Sequence, residues 1–150
     1  NAKICAISAR PNLIYVYDEL NSSLYLIDLV KKKTIQSVIN MQALIGRSID
    51  AKSLKEHNNS LFLLNNDSSI FVFDMFLSLK GQLEKKYKAL NFWNDYVIQL
   101  DKGKINFHSL ENKQITVVVD CPLSDRLSVH GNSFYFSTDG VISRYELKSQ

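Results

Sequence analysis

Cysteine, proline, glycine and histidine are all scarce in this chain, and each scarcity removes a class of protein. Two cysteines in 150 residues, Cys5 and Cys121, are too few for a disulfide framework or a zinc site. Both are read as small buried residues, with a bond between them as the alternative. Five isolated glycines (Gly46, Gly81, Gly103, Gly131 and Gly140) form no phosphate-cradling loop and read as turn residues. No apolar run is long enough to span a membrane as a helix. The first residues lack a basic segment followed by an apolar stretch, so no signal peptide is expected within this chain. Charge of one sign is also lacking, since the net charge is +3. The one basic run, Lys31-Lys32-Lys33, reads as a solvated turn, so nucleic acid is not an expected partner.

Catalytic material is equally thin. His57 and His130 stand near turns without a third partner at a metal-ligand spacing, and His108 lies inside a strand-like run. A Ser128, His130 and Asp125 set can be nominated, but no nucleophile elbow accompanies it. The Asx-rich stretch Asn65-Asn66-Asp67-Ser68-Ser69 lacks the distant Glu of a calcium loop and reads as a hairpin tip. Lys80 to Trp93, with its interleaved aromatics, reads as an outer strand leading to the next unit rather than as a nucleic-acid face. No catalytic residue, cofactor or metal is therefore expected, and the chain is read as a non-enzyme.

What is present is a repeat, the first thing to establish in such a sequence. LYLIDL (Leu24 to Leu29), IFVFDM (Ile70 to Met75), INFHSL (Ile105 to Leu110) and ISRYEL (Ile142 to Leu147) align without gaps, at spacings of 46, 35 and 37 residues. A second set precedes them, opened by Asn12, Asn59, Asn94 and Asn132. Each Asn stands 12, 11, 11 or 10 residues ahead of its partner segment. Both sets are rich in Ile, Val, Phe and Tyr, which suit a packed, pleated surface. Turn formers separate them: Asn21-Ser22-Ser23, Asn66 to Ser69, Lys102-Gly103-Lys104 and Asp139-Gly140. Each unit therefore contains a central hairpin. An Asn at the head of the first strand suits a left-handed residue closing an outer turn.

Flanking strands are expected upstream at Lys3–Ala9, Ser48–Lys55, Lys88–Phe92 and Arg126–Val129. Downstream strands are expected at Thr34–Ile39, Gln82–Tyr87 and Gln114–Val119. Four antiparallel strands per unit is the composition of a propeller blade. The fold class is thus all-β, with about four repeats (3–40, 48–87, 88–120 and 125–150) in a single domain of residues 1–150. The last repeat is incomplete, and its third strand, Ile142 to Leu147, is expected to be an edge that another segment covers.

The run Asn66-Asp67-Ser68-Ser69-Ile70-Phe71-Val72-Phe73-Asp74 resembles the turn and third strand of a WD40 or quinoprotein-like propeller repeat. The terminal Asp of that pattern is matched by Asp28, Asp74, Ser109 and Glu146. The position before it, often Trp in that family, holds Ile27, Phe73, His108 and Tyr145. The Trp-Asp dipeptide and the Gly-His pair of the strict pattern are missing. His57 and His130 share one repeat position, each two residues before its Asn. The resemblance implies a ring of four to eight blades, of which this chain supplies about half. A piece of a longer protein is favoured over a chain completed by a second copy or a closed four-blade ring.

The expected function is a protein-interaction scaffold. Its alternatives are a part of a larger propeller enzyme, or an extracytoplasmic accessory protein of a respiratory or envelope system. The partner is another protein, the remainder of its own propeller, or a second copy joined through an open blade edge. The irregular insertion NMQALIGR, Asn40 to Arg47, is either a partner-reading loop with exposed Met41, Leu44 and Ile45 or a short helix tucked against the blades. Tyr17, Met41, Leu44, Arg47 and Trp93 are the candidate contact residues.

Overall fold

A computed structural model describes residues 2–111 and 115–147, and divides the chain into two compact units, residues 1–90 and 91–150. In the first unit, sheet 1 comprises β1 (Ala2–Ile7), β2 (Leu13–Asp18), β3 (Ser23–Asp28) and β4 (Lys33–Val38). A short helix α1 (Met41–Ile45) follows. Sheet 2 then comprises β5 (Ala51–His57), β6 (Ser60–Asn65), β7 (Ile70–Asp74) and β8 (Leu79–Gln82). In the second unit, sheet 3 holds β9 (Asn91–Trp93), β10 (Tyr96–Asp101), β11 (Lys104–Ser109) and β12 (Ile115–Asp120). Sheet 4 holds β13 (Arg126–His130), β14 (Ser133–Thr138) and β15 (Val141–Glu146). Strands pair in chain order within every sheet, all antiparallel, so each is a meander.

Backbone chemistry explains the repetition. Asn12, Asn59 and Asn94 have positive φ at the outer turns, and in sheet 4 Gly131 takes the left-handed position in place of Asn132. Lys102-Gly103 and Asp139-Gly140 carry positive φ at both residues, which matches the right-handed twist of their hairpins. The third and fourth strands of sheets 1, 2 and 3 are irregular at one repeat position: Leu26/Ile27, Val72/Phe73 and Phe107/His108. A bulge strengthens local twist. Its recurrence marks the three sheets as copies of one unit.

Each unit closes on its own core. In the first, Tyr15, Tyr17, Leu24 and Leu26 of sheet 1 cluster with Leu54, Leu61, Leu63, Phe71 and Phe73 of sheet 2. In the second, Ile98, Ile105 and Phe107 of sheet 3 cluster with Val129, Phe134 and Phe136 of sheet 4. Burying each such side chain contributes about 1.5–3 kcal/mol.

Several expectations need correction. The fourth strand of sheet 2 is Leu79–Gln82 rather than Gln82–Tyr87, because a tight turn at Met75–Ser78 returns the chain early. Lys80 to Trp93 is therefore not one outer strand: Asn91–Trp93 opens sheet 3, and Tyr87 between them is buried. That burial pushes the Tyr87 phenol up to about 12. Cys5 is exposed rather than buried, Cys121 is half-buried, and both are free thiols. Gln114, the expected first residue of the third outer strand, lies outside the described residues, as do 148–150. Among the described residues β15 pairs with β14 alone, and all six of its residues are exposed.

Candidate interaction surface

An aspartate ends three of the strands in the first unit, and the residue two places on is apolar: Asp18-Glu19-Leu20, Asp28-Leu29-Val30 and Asp74-Met75-Phe76. In each, a carboxylate oxygen accepts the backbone N–H of that apolar residue. The distances are 3.0 Å for Leu20, 2.9 Å for Val30 and 2.8 Å for Phe76. Asp28 also accepts from the Lys31 N–H at 2.8 Å, and Asp74 from the Ser78 N–H at 2.8 Å. Ser109 stands in for the Asp in sheet 3, accepting from the Glu111 N–H at 3.2 Å. Such local bonds fix a tight turn and hold the residue two places past the aspartate out from the strand. Leu20, Val30 and Phe76 consequently stand 74%, 69% and 60% exposed.

The Asp74 turn shows the sorting directly. Leu77, at φ 65, turns its side chain into the core, while Phe76 beside it points to solvent. Strand direction places the β3–β4 and β7–β8 turns at one end of the first unit, with the β1–β2 turn. Arg10 stitches that end together. Its Nη2 donates to the Tyr15 hydroxyl at 3.0 Å and to the Met75 carbonyl at 3.0 Å. The Ala9 N–H adds a bond to Glu56 Oε2 at 3.2 Å. Tyr15, buried beneath, has its phenol pushed up by desolvation. The result is a fixed rim bearing Leu29, Val30 and Phe76 in solvent, edged by Lys31 and Lys32.

The residues nominated from sequence fall elsewhere. Tyr17 is 0% exposed, and its hydroxyl donates to the Ile49 carbonyl at 3.2 Å. Met41 is likewise 0% exposed, its side chain in the same core. Neither is a surface contact, which corrects the expectation for both, and Ile45 is half-buried too. The insertion is a short helix capped by Asn40, whose side chain accepts from the Ala43 N–H, and held by the Met41 N–H on the Ser22 carbonyl. Leu44 remains exposed there. Arg47 is spent on sheet 2: it pairs with Asp67 at 3.2 Å, donates to Ser69 Oγ at 2.7 Å and lies 4.8 Å from the Phe71 ring centroid. Trp93 belongs to the second unit's aromatic cluster, and its indole N–H donates to Asn132 Oδ1 at 3.1 Å. Sequence inspection overlooked Leu20, Val30 and Phe76. Their signal was present as the recurrence of Asp, any residue, apolar residue at a strand end.

Two concavities accompany these elements. An open one of about 540 Å³ is lined by Asn40, Gln42, Ala43, Gly46 and Arg47. A smaller one of about 290 Å³ is lined by Lys52, Lys55 and Lys88 with Leu54, Leu64 and Leu90. There Lys52 and Lys55 donate to the Lys88 and Leu90 carbonyls, and burial pulls the Lys55 amine down. Among the described residues, no three of His, Cys, Asp and Glu converge as a metal cage.

The Asx-rich tip at Asn65–Ser69 closes on itself. Asp67 accepts from the Ser69 hydroxyl and N–H, from Asn65 and from Arg47, and these bonds hold its carboxyl down at about 2. A carboxyl depressed in the folded state stabilises the fold above its unfolded value of about 4. That contribution fades as pH falls toward 2. Asp67→Asn should therefore lower the urea midpoint at pH 6, and the gap from the parent chain should close in acid. A gap that does not change with pH would contradict this assignment.

No protein-family model and no curated protein matches the chain in sequence. Solved structures do match it in fold. The Pan2 WD40 domain of Neurospora crassa is 14% identical with a TM-score of 0.66, over 98% of this chain and 50% of its own. BamB from Moraxella catarrhalis is 9% identical with a TM-score of 0.59, over 94% of this chain and 48% of its own. The computationally designed Ika4 protein is 14% identical with a TM-score of 0.60, over 99% of this chain and 92% of its own. The chain thus has the blade architecture of a β-propeller, as the repeat implied, and spans about half the length of the first two structures.

Proposed function

We propose that this chain is a non-catalytic interaction scaffold, and that the rim carrying Leu29, Val30 and Phe76 engages a protein partner. The observation behind this reading is the Asp-held turn. The aspartates fix backbone geometry before any partner arrives, so apolar tips are presented at little ordering cost. Loops held on a rigid frame are where binding residues concentrate. The half-buried Arg10 and the exposed Lys31 and Lys32 give that rim a cationic border, suited to a partner with acidic residues around an apolar patch.

The reading is tested by affinity capture from native extract with the parent chain and with the Val30→Ser, Phe76→Ser double variant. Leu20→Ser, at the opposite end of the strands, is the control. Truncating central apolar anchors typically costs about 2 kcal/mol or more, so capture of the principal partner should fall well beyond tenfold. The Leu20→Ser chain should retain it. Equal capture by the parent and the double variant, both folded by circular dichroism, removes this rim from consideration.

A further inference from the structure

The back face of sheet 1, turned away from Tyr15 and Tyr17, is built like an interior surface. Strand register arranges it in two rows: Ile7, Ile14, Ile27 and Thr34, then Cys5, Val16, Tyr25 and Ser37. No charged side chain occurs in either row, and the strand alternation puts Asp18, paired with Ser23, at the end of the same face. Cys5 is exposed and Ile7 is 84% exposed, while Ile14, Val16, Tyr25 and Ile27 are half-buried.

The other repeats show what this face is for. Ile14 pairs with Ile27 as Leu61 pairs with Phe73 in sheet 2 and Phe134 with Tyr145 in sheet 4. Val16 pairs with Tyr25 as Leu63 pairs with Phe71. Leu61, Leu63, Phe71 and Phe73 are buried in the core shared with sheet 1, and Phe134 in the core shared with sheet 3. Within each unit, then, these repeat positions pack on the preceding sheet. Sheet 1 repeats the chemistry with Cys5 and Ile7 in solvent.

We propose that the back face of sheet 1 seats a further blade of the same propeller, a β-sheet offering aromatic and aliphatic side chains like the Tyr15, Tyr17, Leu24 and Leu26 face. The half-length match to two solved propellers supports a further blade as occupant. Sheet 4 of a second copy is a poorer fit. Its corresponding outer face carries Ser133, Ser137, Arg144 and Glu146 around half-buried Tyr135, with Ile142 the exposed apolar residue, and Arg144 is bonded to Ser133 and paired with Glu146. This inference does not depend on the turn-tip rim, and neither test bears on the other.

Cys5 lies on β1, the edge strand of the face, and serves as reporter, with half-buried Cys121 as internal reference. The experiment measures iodoacetamide labelling of both thiols in the protein purified from its native source, and in residues 1–150 produced alone. A seated blade makes Cys5 label more slowly than Cys121 in the native protein, by about tenfold or more. In residues 1–150 alone the order should reverse. Cys5 labelling faster than Cys121 in the native protein overturns the proposal. So does a dimer of residues 1–150 that protects Cys5, since that would make a second copy the occupant. Should residues 1–150 fail to fold alone, the order of the two rates in the native protein still decides.

Discussion

Tyr17→Ala is expected to lower the unfolding free energy by about 3–5 kcal/mol, the usual cost of deleting a buried aromatic ring. Tyr17→Phe should cost only about 1 kcal/mol, the net worth of one hydrogen bond. The ring is fully enclosed among Leu24, Met41, Ile49 and the facing residues of sheet 2, so its removal leaves a cavity that a β-sheet core cannot collapse around. The hydroxyl contributes its bond to the Ile49 carbonyl. Urea midpoints of the two variants separate the contributions. If Tyr17 were instead a partner-reading residue, both variants would unfold with the parent chain.

That residue also shows how far the sequence could be read. The repeat was legible because turn chemistry recurs: Asn and Gly at positive φ fix where strands end, whatever the strands contain. Which face of a strand is buried was not legible. Ile14 and Val16 alternate with Tyr15 and Tyr17, both sets are apolar, and period-two alternation cannot rank them. Only the neighbouring sheet decides, and it covers the tyrosines. Cys5 was misplaced for the same reason, since its row faces away from that neighbour.

Loops were harder still. Five helical residues are too few to show a helical period, so Met41 looked like any apolar loop residue. Its burial depends on a contact from the Met41 N–H to the Ser22 carbonyl, nineteen positions away in the chain. The early start of β8 follows from Leu77 accepting a left-handed conformation that leucine seldom adopts. The turn tips, by contrast, were open to reading. An aspartate at a strand end caps the next turn by simple geometry, and an apolar residue two places on has nowhere to go but solvent.

Phe134→Ala should be as costly as Tyr17→Ala, about 3–5 kcal/mol, and it can be followed through Trp93, the chain's one tryptophan. Trp93 lies 6.3 Å from Phe134 and 5.7 Å from Phe107, ring centroid to centroid, with Tyr96 at 6.2 Å. Phe134 is 2% exposed and Phe107 packs on it at 6.1 Å. Deleting the Phe134 ring opens this cluster to water, so tryptophan emission should shift to longer wavelength before unfolding begins, and the urea midpoint should drop. Unchanged emission with an unchanged midpoint would contradict the cluster. The same geometry restricts how Trp93 can be probed. A ring that supports the second unit's core cannot be truncated to ask about binding, because Trp93→Ala would remove partner capture by loosening the frame. Val30 and Phe76 hold no such place in a core, and a loss of capture on changing them would report on contact itself.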